Sequence, residues 1–416
     1  MSDRSSSRAL WLTRLIEHLK NERYASDTVN NCVAVSRRFL VFVEKRHIKL
    51  RSVQPIHVEK FLEDSLQRFR RRYGHLPASR NWRSARTAPV RMLLRLAQGQ
   101  WPPSPKPATQ GERFQHQICE KYVRWMVDIR GLAPATVSAR RKEAGHFLRW
   151  LGKQASRTGI AALTVADVDR YVMGRSSSLR RSSIKMLNVW LRIFLRWLHA
   201  TGQTNHDLSK SVVGPSTYAF ASVPSALRSQ DVKKILDAAQ RDGTVQGIRD
   251  YAILMLLSKY GMRAGEVAAL RLDDIDWRKE IVRVRHTKTA ASSCLPLLPE
   301  VGNAILKYLQ KARPRVAFRQ IFIRTYAPYR PFEKGASIYT IVRSRIDAAG
   351  VVTSGKRGPH AFRHARAVSM LRAKVSLKEI GDVLGHRSTT STMTYLKLAT
   401  EDLRMIALDI PVEVQA

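Results

Sequence analysis

PHAFRHARA (residues 359–367) and LGHRSTTSTMTYLKL (residues 384–398) are the stretches on which the reading of this chain turns. Pro359 can open a helix, because its fixed φ and missing N–H suit a first turn, and that helix places His360 and Arg363 one turn apart on the same face. A His-x-x-Arg pair can hydrogen-bond two oxygens of one phosphate. In the second stretch Gly385 ends a helix, His386 follows in a turn, and Tyr395 lies nine residues later near a fresh helical start. The same histidines admit a metal reading: His360 and His364 have i,i+4 spacing and His386 offers a third ligand. So many arginines without a clear nearby carboxylate make a poor cation site, however.

Two upstream stretches complete the set. In YGMRAGEVAALRLDDIDW (residues 260–277) Gly261 breaks an apolar helix and Arg263 opens the next, with Glu266 one turn on to orient it. In RHTKTAASS (residues 285–293) Lys288 sits where a strand leaves for a polar turn. Each is weak alone, since helix-start arginines make salt bridges and turn lysines are usually solvated. Together, two arginines, two histidines, a lysine and a tyrosine meet the needs of phosphodiester transesterification without metal. Fixed guanidiniums stabilise the extra charge of a pentacoordinate phosphorus, and a phenol becomes a nucleophile once a base takes its proton. Asp273, Asp274 and Asp276 offer a metal-dependent nuclease as a rival, although they read better as a turn after the Arg263 helix.

Working outward, the 416 residues carry 73 Lys plus Arg against 33 Asp plus Glu, a formal charge of +40. At 44% hydrophobic and 8% aromatic the chain still has material for buried cores. A surface this basic selects a polyanion, with nucleic acid the first candidate and an acidic substrate or partner protein improbable beside it. Cys32, Cys119 and Cys294 lie too far apart in sequence for a disulfide framework or a CxxC metal site. Neither a signal peptide nor a membrane-length apolar run is present, so no membrane partner is expected and a cytoplasmic, nucleoid-associated, bacterial-type location is.

The N-terminal half contains an internal repeat. Tyr24-Ala25 and Thr28-Val29 recur as Leu132-Ala133 and Thr136-Val137, and Phe39-Leu40 with Phe42 recurs as Phe147-Leu148 with Trp150. Val58 and Phe61 answer to Val168 and Tyr171, and RMLLRLA (91–97) to RIFLRWL (192–198). Each copy reads as a bundle of about four amphipathic helices. Trp101 to Pro107 and Asn205 to Pro224 read as linkers. Arg70, Arg71, Arg83 and Arg86 in the first copy, and Arg180, Arg181, Lys185 and Arg192 in the second, are the candidate DNA contacts. Beyond Ala226 a helix capped by Ser229 is expected. Strands are expected at Val282–Arg285, Leu295–Leu298 and Ile321–Ile323, with helices at 248–259, 301–311, 337–348, 361–373 and 377–384.

The four motif stretches, in the order Arg, Lys, His-x-x-Arg, His, Tyr, resemble the boxes of the tyrosine recombinases, the phage-integrase family, over about residues 226–398. The bundle near residues 113–202 resembles the family's core-binding domain. The resemblance implies a mainly α fold with a small β component: two tandem helical bundles that bind DNA, then a mixed α+β catalytic domain. The corresponding divisions are 1–100, 111–204 and 225–416. It implies that Tyr395 attacks a scissile phosphate, that Arg263 and Arg363 clamp its non-bridging oxygens and that His386 adds a hydrogen bond. His360 assists proton removal and Lys288 protonates the leaving 5′-oxygen. No cofactor or metal is implied. The implied partners are double-stranded recombination sites and three further copies in a synaptic tetramer, from a monomer or dimer when free. A mobile-element integrase fits the added N-terminal bundle. A type IB topoisomerase and a DNA-binding factor that kept only the fold are the other readings. The apolar tail Leu403, Met405, Ile406, Leu408 and Ile410 would pack on its own domain or dock in a neighbour.

Overall fold

The computed structural model describes residues 2–103, 107–215, 226–286, 292–333, 335–353, 355, 357–385 and 392–393. The first bundle is α1 (Ser2–Asn21), α2 (Ser26–Lys45), α3 (Pro55–Tyr73) and α4 (Trp82–Gln98). Pro55 occupies the first turn of α3, and Gly74 caps its end in the left-handed conformation that an L side chain resists. Phe39, Phe42, Phe61, Leu62, Val90, Leu93 and Leu94 form its core. Trp101, expected in a linker, is buried in that same core: its ring supplies apolar area that a small bundle otherwise lacks.

The second bundle is α5 (Gln110–Arg124), continued by a π-helical turn at Trp125–Ile129, then α6 (Pro134–Leu151), the short α7 (Arg157–Ala161), α8 (Val165–Ser176) and α9 (Arg181–Ala200). The repeat is visible in backbone and rings alike. Ala25 and Ala133 precede α2 and α6 with φ/ψ of −62°/146° and −59°/142°. Phe39 meets Phe61 edge-on at 5.1 Å and 81°, and Phe147 meets Tyr171 at 5.0 Å and 79°. Phe42–Phe61 and Trp150–Tyr171 are both 5.5 Å apart, and both Phe39–Phe42 and Phe147–Trp150 lie 6.3 Å apart. The start of the second expected linker is not a spacer. Leu208 and Val212 are buried in this core, and Asn188 donates to the Val213 carbonyl at 2.9 Å.

The third group comprises α10 (Ser229–Arg241), α11 (Val245–Tyr260), α12 (Ala264–Ala269), β1 (Ile275–Asp276), β2 (Ile281–Arg285) and β3 (Ser292–Pro296). It ends with α13 (Pro299–Lys311), α14 (Gly335–Ala348), α15 (Pro359–Arg372) and α16 (Leu377–Leu384). The strands form one antiparallel sheet in the order β1-β2-β3, pairing Ile275 with Val282 and Val284 with Ser293. α11 is apolar almost all round, as a central helix must be, and Ile253, Leu254, Leu256 and Leu257 are fully buried.

Three local expectations need correction. Ser229 does not cap α10: its backbone is already helical, Arg228 takes the cap position, and the Arg228–Asp231 ion pair closes the turn. β3 runs Ser292–Pro296 rather than Leu295–Leu298: it pairs with β2 from Ser292 opposite Arg285, and Leu298 takes the cap position of the helix that Pro299 opens. Ile321–Ile323 is buried but, among the described residues, contributes only one isolated bridge, Ile323 to Pro331, since a proline without an N–H cannot extend a ladder; a second bridge, Arg271 to Gln320, lies just before it.

The chain divides into two compact units, Met1–Pro103 with Ser222–Ala416, and Ser104–Ala221. Within the first, Glu22 pairs with Arg330 and Arg23 Nη1 donates to the Arg315 carbonyl at 3.0 Å. Among the described residues no helix is long and apolar enough to cross a membrane.

Candidate active site

Gly261 ends α11 with φ +64°, and a Cβ there would lie 2.7 Å from Leu384 Cδ2, so glycine is required twice over. Arg263 follows in extended backbone and its Nη1 donates to Glu266 Oε1 at 2.7 Å, while its own N–H donates to Oε2 at 2.8 Å. Burial works to raise the Glu266 carboxyl, but hydrogen bonds from His286 and Arg263 outweigh it and hold the group below its usual range. The other terminal nitrogen of Arg263, Nη2, donates to the Gly385 carbonyl at 2.9 Å. The Arg263 side chain keeps 19% exposure, enough to meet a ligand oxygen.

Arg363 comes from the first turns of α15 and is buried. Its Nη1 donates to the Gly261 carbonyl at 2.8 Å and its Nη2 to the Leu384 carbonyl. Two guanidiniums, one from the cap of α12 and one from α15, are therefore anchored on adjacent carbonyls at the C-terminus of α16, where the helix dipole is negative. His360, also on the first turn of α15, is exposed, with its ring 6.3 Å from that of His364. The His-x-x-Arg pair thus spans the boundary between surface and core.

Lys288, His386 and Tyr395 lie outside the described residues. Their described neighbours are His286, two residues before Lys288; Gly385, directly before His386; and Thr392, which is buried three residues before Tyr395. His386 is also the third ligand of the metal reading, so that set is incomplete here; among the described residues no group of three acids, histidines or cysteines is placed to hold a metal ion. The acids of the nuclease reading serve the turn. Asp273 pairs with Arg319 and Asp274 with Arg285, while Asp276 accepts from the N–H groups of Arg278 and Lys279.

The candidate DNA contacts divide. Arg70, Arg71, Arg180, Arg181 and Lys185 are exposed. Arg83 pairs with Glu59, Arg86 lies 4.0 Å over the Trp82 ring, and Arg192 donates to the Val212 carbonyl at 2.9 Å. Arg83 is nevertheless 62% exposed, so its pair with Glu59 leaves it open to solvent.

The residue that sequence reasoning passed over is His286. It is buried, its Nδ1 is 2.9 Å from Glu266 Oε1 and its Nε2 is 2.8 Å from Ser293 Oγ. A signal existed: Val282 and Val284 alternate inward along β2, and continuing that alternation points position 286 into the core.

The phage integrase family model matches residues 225–402. A Sinorhizobium fredii protein named as an integrase/recombinase, y4gC, is 55% identical over 189 residues, which are 45% of this chain and 97% of that one. A second from the same organism, y4rA, is 32% identical over 410 residues, 98% of this chain and 95% of its own. The solved XerH recombinase bound to a palindromic difH substrate aligns with a TM-score of 0.57 at 15% identity, over 72% of this chain and 84% of that one. A lambda integrase tetramer on a Holliday junction aligns at 0.53 and 18%, over 78% and 90%. These two share its fold. With a relative 32% identical along nearly its whole length and a family match over the arginine cluster, the chain belongs to the phage integrase family and is a tyrosine-type DNA recombinase.

Proposed function

We propose that the protein cuts and rejoins duplex DNA at specific sites through a covalent tyrosyl intermediate, integrating or excising a mobile element. The Tyr395 phenolic oxygen attacks the scissile phosphorus, the bond to the 5′-oxygen breaks, and a 3′-phosphotyrosyl ester and a 5′-hydroxyl result. His360 assists removal of the phenol's proton and Lys288 delivers one to the leaving oxygen. Arg263 and Arg363 stabilise the charge on the non-bridging oxygens, with His386 adding a hydrogen bond. Because the ester conserves the phosphodiester's energy, neither ATP nor a metal ion is needed. Four protomers would exchange strands in pairs through a Holliday junction, with residues 1–100 and 111–204 as two DNA-gripping bundles and 225–416 as the catalytic domain. Arg70, Arg71, Arg180, Arg181 and Lys185 are the contacts we assign to the DNA backbone.

The observation that carries this reading is the anchoring of Arg263 and Arg363 on the Leu384–Gly385 carbonyls, one residue short of His386. The test is incubation with a nicked, labelled recombination site in EDTA. A covalent protein–DNA adduct is expected, absent in Tyr395→Phe; an adduct that survives the substitution overturns the assignment. Removing residues 1–100 should lower affinity and flatten its salt dependence, by about 0.9 in log–log slope for each phosphate that the bundle neutralises.

A further inference from the structure

We propose that His286 is a positioning residue for strand cleavage: through Glu266 it aims the Arg263 guanidinium at the scissile phosphate. The inference rests on Arg263 acting as a phosphate clamp. Glu266 Oε1 is shared, taking Arg263 Nη1 at 2.7 Å and facing His286 Nδ1 at 2.9 Å. A carboxylate cannot donate, so the His286 nitrogen facing it carries the proton, and Ser293 Oγ at 2.8 Å holds the other ring nitrogen. The Glu266 side chain is 1% exposed, so in the intact protein the imidazole rather than bulk solvent meets this oxygen. Without that partner the carboxylate keeps only its two bonds to Arg263 itself, so its last torsion, and the guanidinium resting on it, are held less firmly.

The imidazole is itself locked on a third side. A Cβ on Gly385 would fall 2.4 Å from His286 Cε1, so the glycine backbone lies flat against the ring. The Gly385 carbonyl in turn accepts from Arg263 Nη2 at 2.9 Å. One buried ring therefore ties together the start of α12, the edge of the β2–β3 hairpin and the end of α16. Arg263 is gripped at both terminal nitrogens by groups that His286 touches. Its role is geometric, since buried behind Glu266 it does not itself meet DNA.

The test uses the full-length protein and two modified substrates. His286→Ala should slow single-turnover cleavage of ordinary DNA by about 100-fold, as expected for a misaimed charge, with affinity for the site changed less than twofold. A methylphosphonate at the scissile position removes one non-bridging charge and with it most of the need for the guanidinium. On that substrate the deficits of both His286→Ala and Arg263→Ala should shrink to less than tenfold. A 5′-bridging phosphorothiolate, whose thiolate leaves without a proton, should rescue neither. His286→Asn, which keeps a donor near Glu266, should recover most of the rate, and Ser293→Ala should cost less than His286→Ala. Rescue of His286→Ala by the thiolate instead would mean that it serves leaving-group protonation, and the proposal fails. If methylphosphonate rescues Arg263→Ala but not His286→Ala, the coupling is refuted while the clamp stands. If it rescues neither, the clamp assignment is wrong and the proposal falls with it.

Discussion

The two helical bundles share three rings in the same arrangement, yet they differ at one buried pair. Where the first copy has Val35 and Phe61 in one apolar core, the second has Glu143 and Tyr171. The Tyr171 hydroxyl donates to Glu143 Oε1, and Arg175 reaches Oε2 at 3.5 Å. Burial, followed by the bond to Glu143, pushes the Tyr171 phenol above its ordinary range. The exchange is correlated for a physical reason. A buried carboxylate without a donor, or a buried hydroxyl without an acceptor, costs more than the matched pair of either kind. A second difference lies in the loop before α2 and α6. Arg23 at φ +62° stands where the second copy has Gly131 at φ +55°, so the first copy carries backbone strain in exchange for the bond to the Arg315 carbonyl. The two bundles keep one ring arrangement, while the loop of the first also contacts the segment at Arg315.

The largest expected effect comes from forcing the second copy's carboxylate into the first. Val35→Glu should lower the local stability of residues 2–103 by about 3–5 kcal/mol, measured by peptide-resolved hydrogen exchange in the full chain. Adding Phe61→Tyr should return part of it. Unchanged protection would show that the two cores are not equivalent. In the reverse direction, Tyr171→Phe or Glu143→Val alone should cost about 1–3 kcal/mol, and the double variant less than their sum. Strict additivity would break the idea of a coupled pair. Smaller still, Gly131→Ala should cost the second bundle about 1 kcal/mol, whereas Arg23→Gly should relax its own backbone while speeding exchange around residue 315. The least effect is expected from Glu22→Ala. Its partner Arg330 is 49% exposed, so thermal unfolding should move by less than about 0.5 kcal/mol.

Much of this was legible from residue order. Periodicity places Phe39, Phe147 and their neighbours inward, and local chemistry marks Gly261, Pro359 and Gly385 as helix boundaries; all three are where the structure has them. Such features depend on a few adjacent residues, whose dihedral preferences act before any tertiary contact forms. Motif order likewise singled out Arg263 and Arg363 within one reading. What neither period nor motif could convey is partnership across the chain. The guanidiniums meet the same α16 terminus from positions 122 and 21 residues away. Arg83, Arg86 and Arg192 also meet Glu59, Trp82 and Val212 within their own bundles. Trp101 belongs to a core and not to a linker, and His286 becomes the hinge pin of the arginine site only when Glu266, Ser293 and Gly385 close around it. A side chain's own preferences are local, but what a buried charge or ring touches is decided by where the rest of the chain has packed.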